Sequence, residues 1–119
     1  MATKAEIRQQ VGEDLGLVPI GQTLESQDQT RIDNTFTSMY NLLKNKGLAA
    51  WAVASEVPEE LVPDFCLLME ERLLISYSVP ENRFLRIKSS AGDGGVLAIA
   101  RIADLVTPPY VSTDDPVDY

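Results

Sequence analysis

Histidine is absent from all 119 residues of this chain. That removes the most frequent general base near neutral pH, the commonest metal ligand and every histidine-based catalytic triad. A single cysteine, Cys66, excludes an intrachain disulfide framework and points to a reducing compartment. No run approaches the ~18 uninterrupted apolar residues of a membrane span. The stretch "VLAIARIADLV" is too short and carries Arg101 and Asp104. The opening "MATKAEIRQQ" has no apolar run after its first charge, so no signal peptide is expected there. Basic residues are scarce, ten against eighteen acids, for a net charge of −8. A chain of that sign repels phosphate backbones at long range, which argues against gripping DNA but is compatible with DNA passing an acidic wall.

What is present suits one globular domain. The apolar fraction is 45%, enough for a core that buries roughly two thirds of the unfolded chain's surface. Thr3 and Glu6 fit a capping box at the start of a first helix. Ile7, Val11 and Leu15 follow as a narrow apolar stripe, and Gly16 is the expected stop. "LVPIGQTL" reads as a connector. Ser26 opens a second helix, with Gln29 in the reciprocal capping position. Ile32, Phe36, Met39, Tyr40 and Leu43 share one face of it. Lys44 and Lys46 suit its last turn, and Gly47 its end. Trp51, in the apolar connector "LAAWAVASEVPEE", is expected to pack between helices.

A third helix begins near Pro58 or Pro63, since proline suits a first helical turn. From Phe65 to Val79 apolar residues cover nearly every side, broken by Glu70, Glu71 and Arg72. A helix apolar all round is buried all round, in a central position, at a subunit interface, or both. A buried strand competes locally for "RLLISYSV", although the length of the run favours helix. Pro80 ends it. Phe84, Leu85, Ile87 and Lys88 then fit a fourth helix, and Val96, Ile99, Ala100 and Ala103 share a face after "GDGG". The span 81–106 is either one kinked helix or two. Glycines cost about 1 kcal/mol each inside a helix, which favours a loop at 92–95. The expected fold class is all-α: a small bundle of about four helices over 1–106, with an extended C-terminal arm over 107–119.

No motif announces catalysis. "GDGG" is followed by Val96 and Leu97 where a phosphate-binding loop needs a lysine and a hydroxyl. The adjacent acids Glu59/Glu60, Glu70/Glu71 and Asp114/Asp115 do not face one another on a helix and read as solvated surface. Cys66, between Phe65 and Leu67, reads as a buried inert thiol. No catalytic, cofactor or metal site is expected. Arg83, Arg86 and Lys88 form a basic cluster, with Arg83 and Arg86 on one helical face. It is either a solvated face or a cationic patch that meets the acidic stretch 56–71, including Glu70 and Glu71, of a neighbouring copy.

The last stretch, "TPPYVSTDDPVDY", has three prolines, three aspartates, two tyrosines and no basic residue. Proline-rich extended chain docks in grooves or as an added strand, and tyrosine is a favoured anchor in such contacts. Tyr110, Val111, Pro116, Val117 and Tyr119 are the residues expected to touch another subunit or protein.

With these elements laid out, the chain resembles the head-to-tail adaptors (connector or head-completion proteins) of tailed bacteriophages. Three stretches carry the resemblance: "IDNTFTSMYNLLKNKGLAAWAV", "VPEELVPDFCLLMEERLLISYSVP" and the extended "PPYVSTDDPVDY". The resemblance implies a non-enzymatic, ring-forming virion protein beneath the portal. Twelve copies would match the portal's symmetry. It further implies an arm laid on the portal protein, tail proteins docked below, genomic DNA passing without specific binding, and no membrane. The place implied is the neck between capsid and tail, after assembly in the host cytoplasm. Two other classes stand beside it: a small acidic module that binds a basic partner one to one, and an enzyme using two carboxylates whose pKa values are pushed apart.

Overall fold

The computed structural model describes residues 2–49 and 56–106. Trp51 and the arm residues Tyr110, Val111, Pro116, Val117 and Tyr119 lie outside them. The described chain is an all-α bundle of five α-helices with one two-stranded ladder. Strand β1 (Ala2–Thr3) leads into α1 (Lys4–Asp14) and α2 (Ser26–Asn45). Strand β2 (Glu56–Val57) and a 3-10 turn (Glu59–Leu61) lead into α3 (Val62–Leu73). Then come α4 (Glu81–Ala91), a second 3-10 turn (Asp93–Gly95) and α5 (Val96–Val106). "GDGG" therefore separates two helices.

Thr3 caps α1 as a complete box: Glu6 N–H donates to Thr3 Oγ1 at 3.2 Å and Thr3 N–H to Glu6 Oε1 at 2.8 Å. Helix α2 begins at Ser26 but is capped differently from the expectation. Its N-cap is Glu25, with no side-chain cap, and Gln29 Nε2 instead donates to Leu24 O at 2.9 Å. All five apolar residues expected on the inner face of α2 are buried. Beyond α2, Leu48 N–H donates to Leu43 O and Gly47 N–H to Lys44 O, closing the helix in the usual glycine-terminated manner.

Helix α3 is the axis of the bundle and packs against α1, α2, α4 and α5. Pro63 sits in its first turn. The apolar run ahead of Pro80 is nevertheless not one helix to Val79. Helix α3 stops at Leu73, and Ser76 N–H turns back onto Leu73 O. Ile75 is left exposed, and Tyr77 folds back to donate its hydroxyl to Asp28 Oδ1 on α2 at 2.9 Å. Phe36 and Phe65 meet edge-to-face, centroids 5.1 Å apart, at the α2–α3 contact.

Two features escaped the sequence pattern. The ladder β1–β2 pairs Ala2 with Val57, and strands of two residues carry no periodicity to read. On α5 the buried residues are Ala98 and Ile102, with Val96 and Ala100 exposed. Nine of the eleven α5 residues are apolar, so its pattern names no single face.

Candidate functional site

The described residues expected at an interface, Glu70 and Glu71 on α3 and Arg83 and Arg86 on α4, lie on two packed helices. Helix α3 places Glu70 and Glu71 side by side, and both are buried, at 2% and 8% exposure. The reading of this pair as solvated surface is therefore corrected. Consecutive helical positions point about 100° apart, and α3 has neighbours on both sides. Glu71 turns toward α4, where Lys88 Nζ donates to its Oε2 at 3.0 Å. Gly94 N–H, in the 3-10 turn, donates to the same oxygen at 3.2 Å. The bond to Glu71 raises the Lys88 pKa, with the neighbouring Asp93 adding to it. Glu71 thus ties α3, α4 and the 92–95 turn into one body.

Glu70 turns toward α1 and meets Asp14. Burial, the hydrogen bond to Asp14 and the charge of Asp14 push its pKa up to about 10, against a smaller opposing effect of Arg86. That environment favours the neutral acid at physiological pH, and Glu70 Oε2 is buried without a hydrogen-bond partner. Cys66, one turn earlier, is buried and its thiol is pushed far up by desolvation, so it is inert as expected.

Arg83 is also committed within the chain. Its guanidinium donates to the carbonyls of Asp14 at 2.9 Å and Glu13 at 3.3 Å, capping the C-terminus of α1. Of the four residues expected to pair between copies, Glu70, Glu71 and Arg83 therefore find their partners in the same chain. Arg86 alone is exposed. Their spacing on each helix was legible, but the return of α4 onto α1 and α3 was not.

The α4–α5 hairpin leaves five large apolar side chains exposed. Phe84, Leu85, Val96, Leu97 and Leu105 are all more than one third exposed, with Val96 at 59%. Elsewhere only Ile20 and Ile75 are large, apolar and exposed among the described residues. Arg101 fastens α5 below this surface, donating from Nε to Asp64 Oδ1 at 2.7 Å and from its guanidinium end to Ser90 O. A broader groove of about 710 Å3 follows the polar face of α2, between Ser26 and Met39, with Arg31 and Arg72 as its charges. No sequence motif marks that groove, which arises where α2 runs beside the end of α3.

Among the described residues no cluster of three or more acidic, cysteine or histidine side chains could hold a metal. No helix there is long and apolar enough to cross a membrane. Comparison with protein-family models, curated proteins and solved structures finds no match to this chain. The fold and the site define a class only: an all-α bundle with an internally neutralised acid–base network and an apolar outer hairpin.

Proposed function

We propose that the chain is a structural subunit, a head-to-tail adaptor of tailed bacteriophages that works in a ring beneath the portal. The observation that carries this reading is the apolar outer surface of α4 and α5. Phe84, Leu85, Val96, Leu97 and Leu105 are exposed on two helices held rigidly by Glu71 and Arg101. Large apolar side chains left exposed together on two packed helices of a small bundle mark a protein contact. Copies pack side by side through the hairpin, and Arg86 is the one basic residue of the 83–88 cluster left on the outside. The arm 107–119 binds the portal protein through Tyr110, Val111, Pro116, Val117 and Tyr119, and tail proteins dock on the opposite side of the ring. The net charge of −8 suits a wall past which genomic DNA slides without being held.

Light scattering on the purified protein, alone and then with portal rings, tests this. A fixed symmetric ratio to the portal, lost when 107–119 is removed, supports the adaptor reading. A monomer indifferent to every portal, forming a one-to-one complex with a basic protein instead, overturns it in favour of the acidic interaction module.

A further inference from the structure

The buried face of Glu70 opens on a cavity that the adaptor reading does not use. It measures about 360 Å3 and lies between α1 and α3. Val62, Pro63 and Leu67 form apolar walls, while Gln10, Asp14 and Glu70 supply the polar end, beside Cys66. Gln10 Nε2 donates to Asp14 Oδ1 at 2.8 Å, which fixes that carboxylate. Glu70 is 2% exposed and its Oε2 has no hydrogen-bond partner, an expensive omission for a buried oxygen. The charged and titratable groups around Glu70 are Asp14 on α1, Cys66 on α3 and Arg86 on α4.

The donor-poor acids select a ligand that donates hydrogen bonds and carries positive charge. A metal ion is disfavoured, because the described residues contain no three-ligand group. The apolar walls select an aliphatic stem behind the charge, as lysine and arginine side chains place their stems on apolar surface. We propose that this cavity binds a short aliphatic cation, an ammonium or guanidinium on a few methylenes. Asp14 and Glu70 receive the charge, and Val62, Pro63 and Leu67 hold the stem. A cation beside Glu70 favours its ionised form, so binding expels the Glu70 proton to solvent. The inference stands independently of the adaptor reading, because it concerns a cavity within one copy.

The test is calorimetric titration of the full-length protein with n-butylammonium and n-butylguanidinium near neutral pH, in buffers of different ionisation enthalpy. Binding in the range of about 1–10 mM is expected for ligands this small, with release of up to one proton. Glu70→Gln keeps a donor toward Asp14 and should fold; it should abolish the proton release and weaken binding about tenfold or more. Arg86→Gln, at an exposed position, removes a competing positive charge and should tighten binding, a change that a purely structural role would not produce. A lysine tripeptide with blocked ends separates the two sources of this chemistry. Tighter capture than butylammonium assigns the cavity to a basic side chain presented by a protein, and weaker capture assigns it to a free amine. No binding by the wild-type chain, or equal binding by Glu70→Gln, overturns the proposal.

Discussion

Glu70 shows how one residue makes the stability of the whole chain depend on pH. Its ordinary pKa is 4.5 and the fold raises it to about 10. Between those values the folded chain keeps a proton that the unfolded chain releases. Stability from this group is therefore fully present below pH 4.5 and is lost as pH rises toward 10. The slope from one proton is at most about 1.4 kcal/mol per pH unit. Glu70→Gln should raise the denaturation midpoint at pH 8 and lie close to wild type at pH 4. A wild-type urea midpoint independent of pH between 5 and 8 would contradict this. Phe65 makes a simpler claim. It is fully buried against Phe36, so Phe65→Ala should cost about 3–5 kcal/mol in urea denaturation. Burial of Phe65 was legible from its place in an apolar run. Burial of Glu70 was not, because no local pattern distinguishes an acid facing another helix from one facing water.

At the scale of elements, the turn between α4 and α5 decides the shape of the outer hairpin. Gly94 and Gly95 both have positive φ, +65° and +78°. A Cβ on Gly94 meets only open space, whereas one on Gly95 collides with Leu68 Cδ1 of α3. Gly94→Ala should cost about 1 kcal/mol, the backbone penalty alone. Gly95→Ala should cost clearly more, since either the turn or the buried Leu68 must also give way. Thermal denaturation of the pair reads the difference, and equal losses would show that the contact with Leu68 is freely relieved. The sequence marked "GDGG" as an interruption on propensity grounds. Which glycine is crowded depends on α3, which lies more than twenty residues away in the chain. The same limit applies to helix ends. Thr3 and Glu6 lie within four residues and could be read directly, while the end of α3 at Leu73 is tied to Tyr77 reaching Asp28 on another helix.

For the whole molecule, the apolar hairpin and the arm make separable predictions. Among the described residues the buried cluster runs from Ala2 to Ile102. If the arm serves only to bind the portal, removing 107–119 should leave the thermal midpoint unchanged while abolishing association with a portal ring. Leu97→Glu, at a half-exposed position on α5, should likewise preserve folding and weaken self-association, read by sedimentation velocity. If Leu97→Glu assembles as the wild type does, the hairpin is not the contact between copies.

Taken by itself, the sequence determined the all-α class, the inner face of α2, the cap of α1, the break at 92–95 and the absence of histidine chemistry. Each of these rests on interactions within a few residues: the helical repeat, a capping side chain, a glycine, or plain composition. Only the tertiary structure decided that Glu70 and Glu71 turn inward, that Arg83 caps its own α1 and that α5 buries Ala98 and Ile102. It also decided that an acid-floored cavity lies between α1 and α3. Those outcomes follow from which helices meet across the fold, and the energy of a buried charge depends on partners brought from up to seventy residues away.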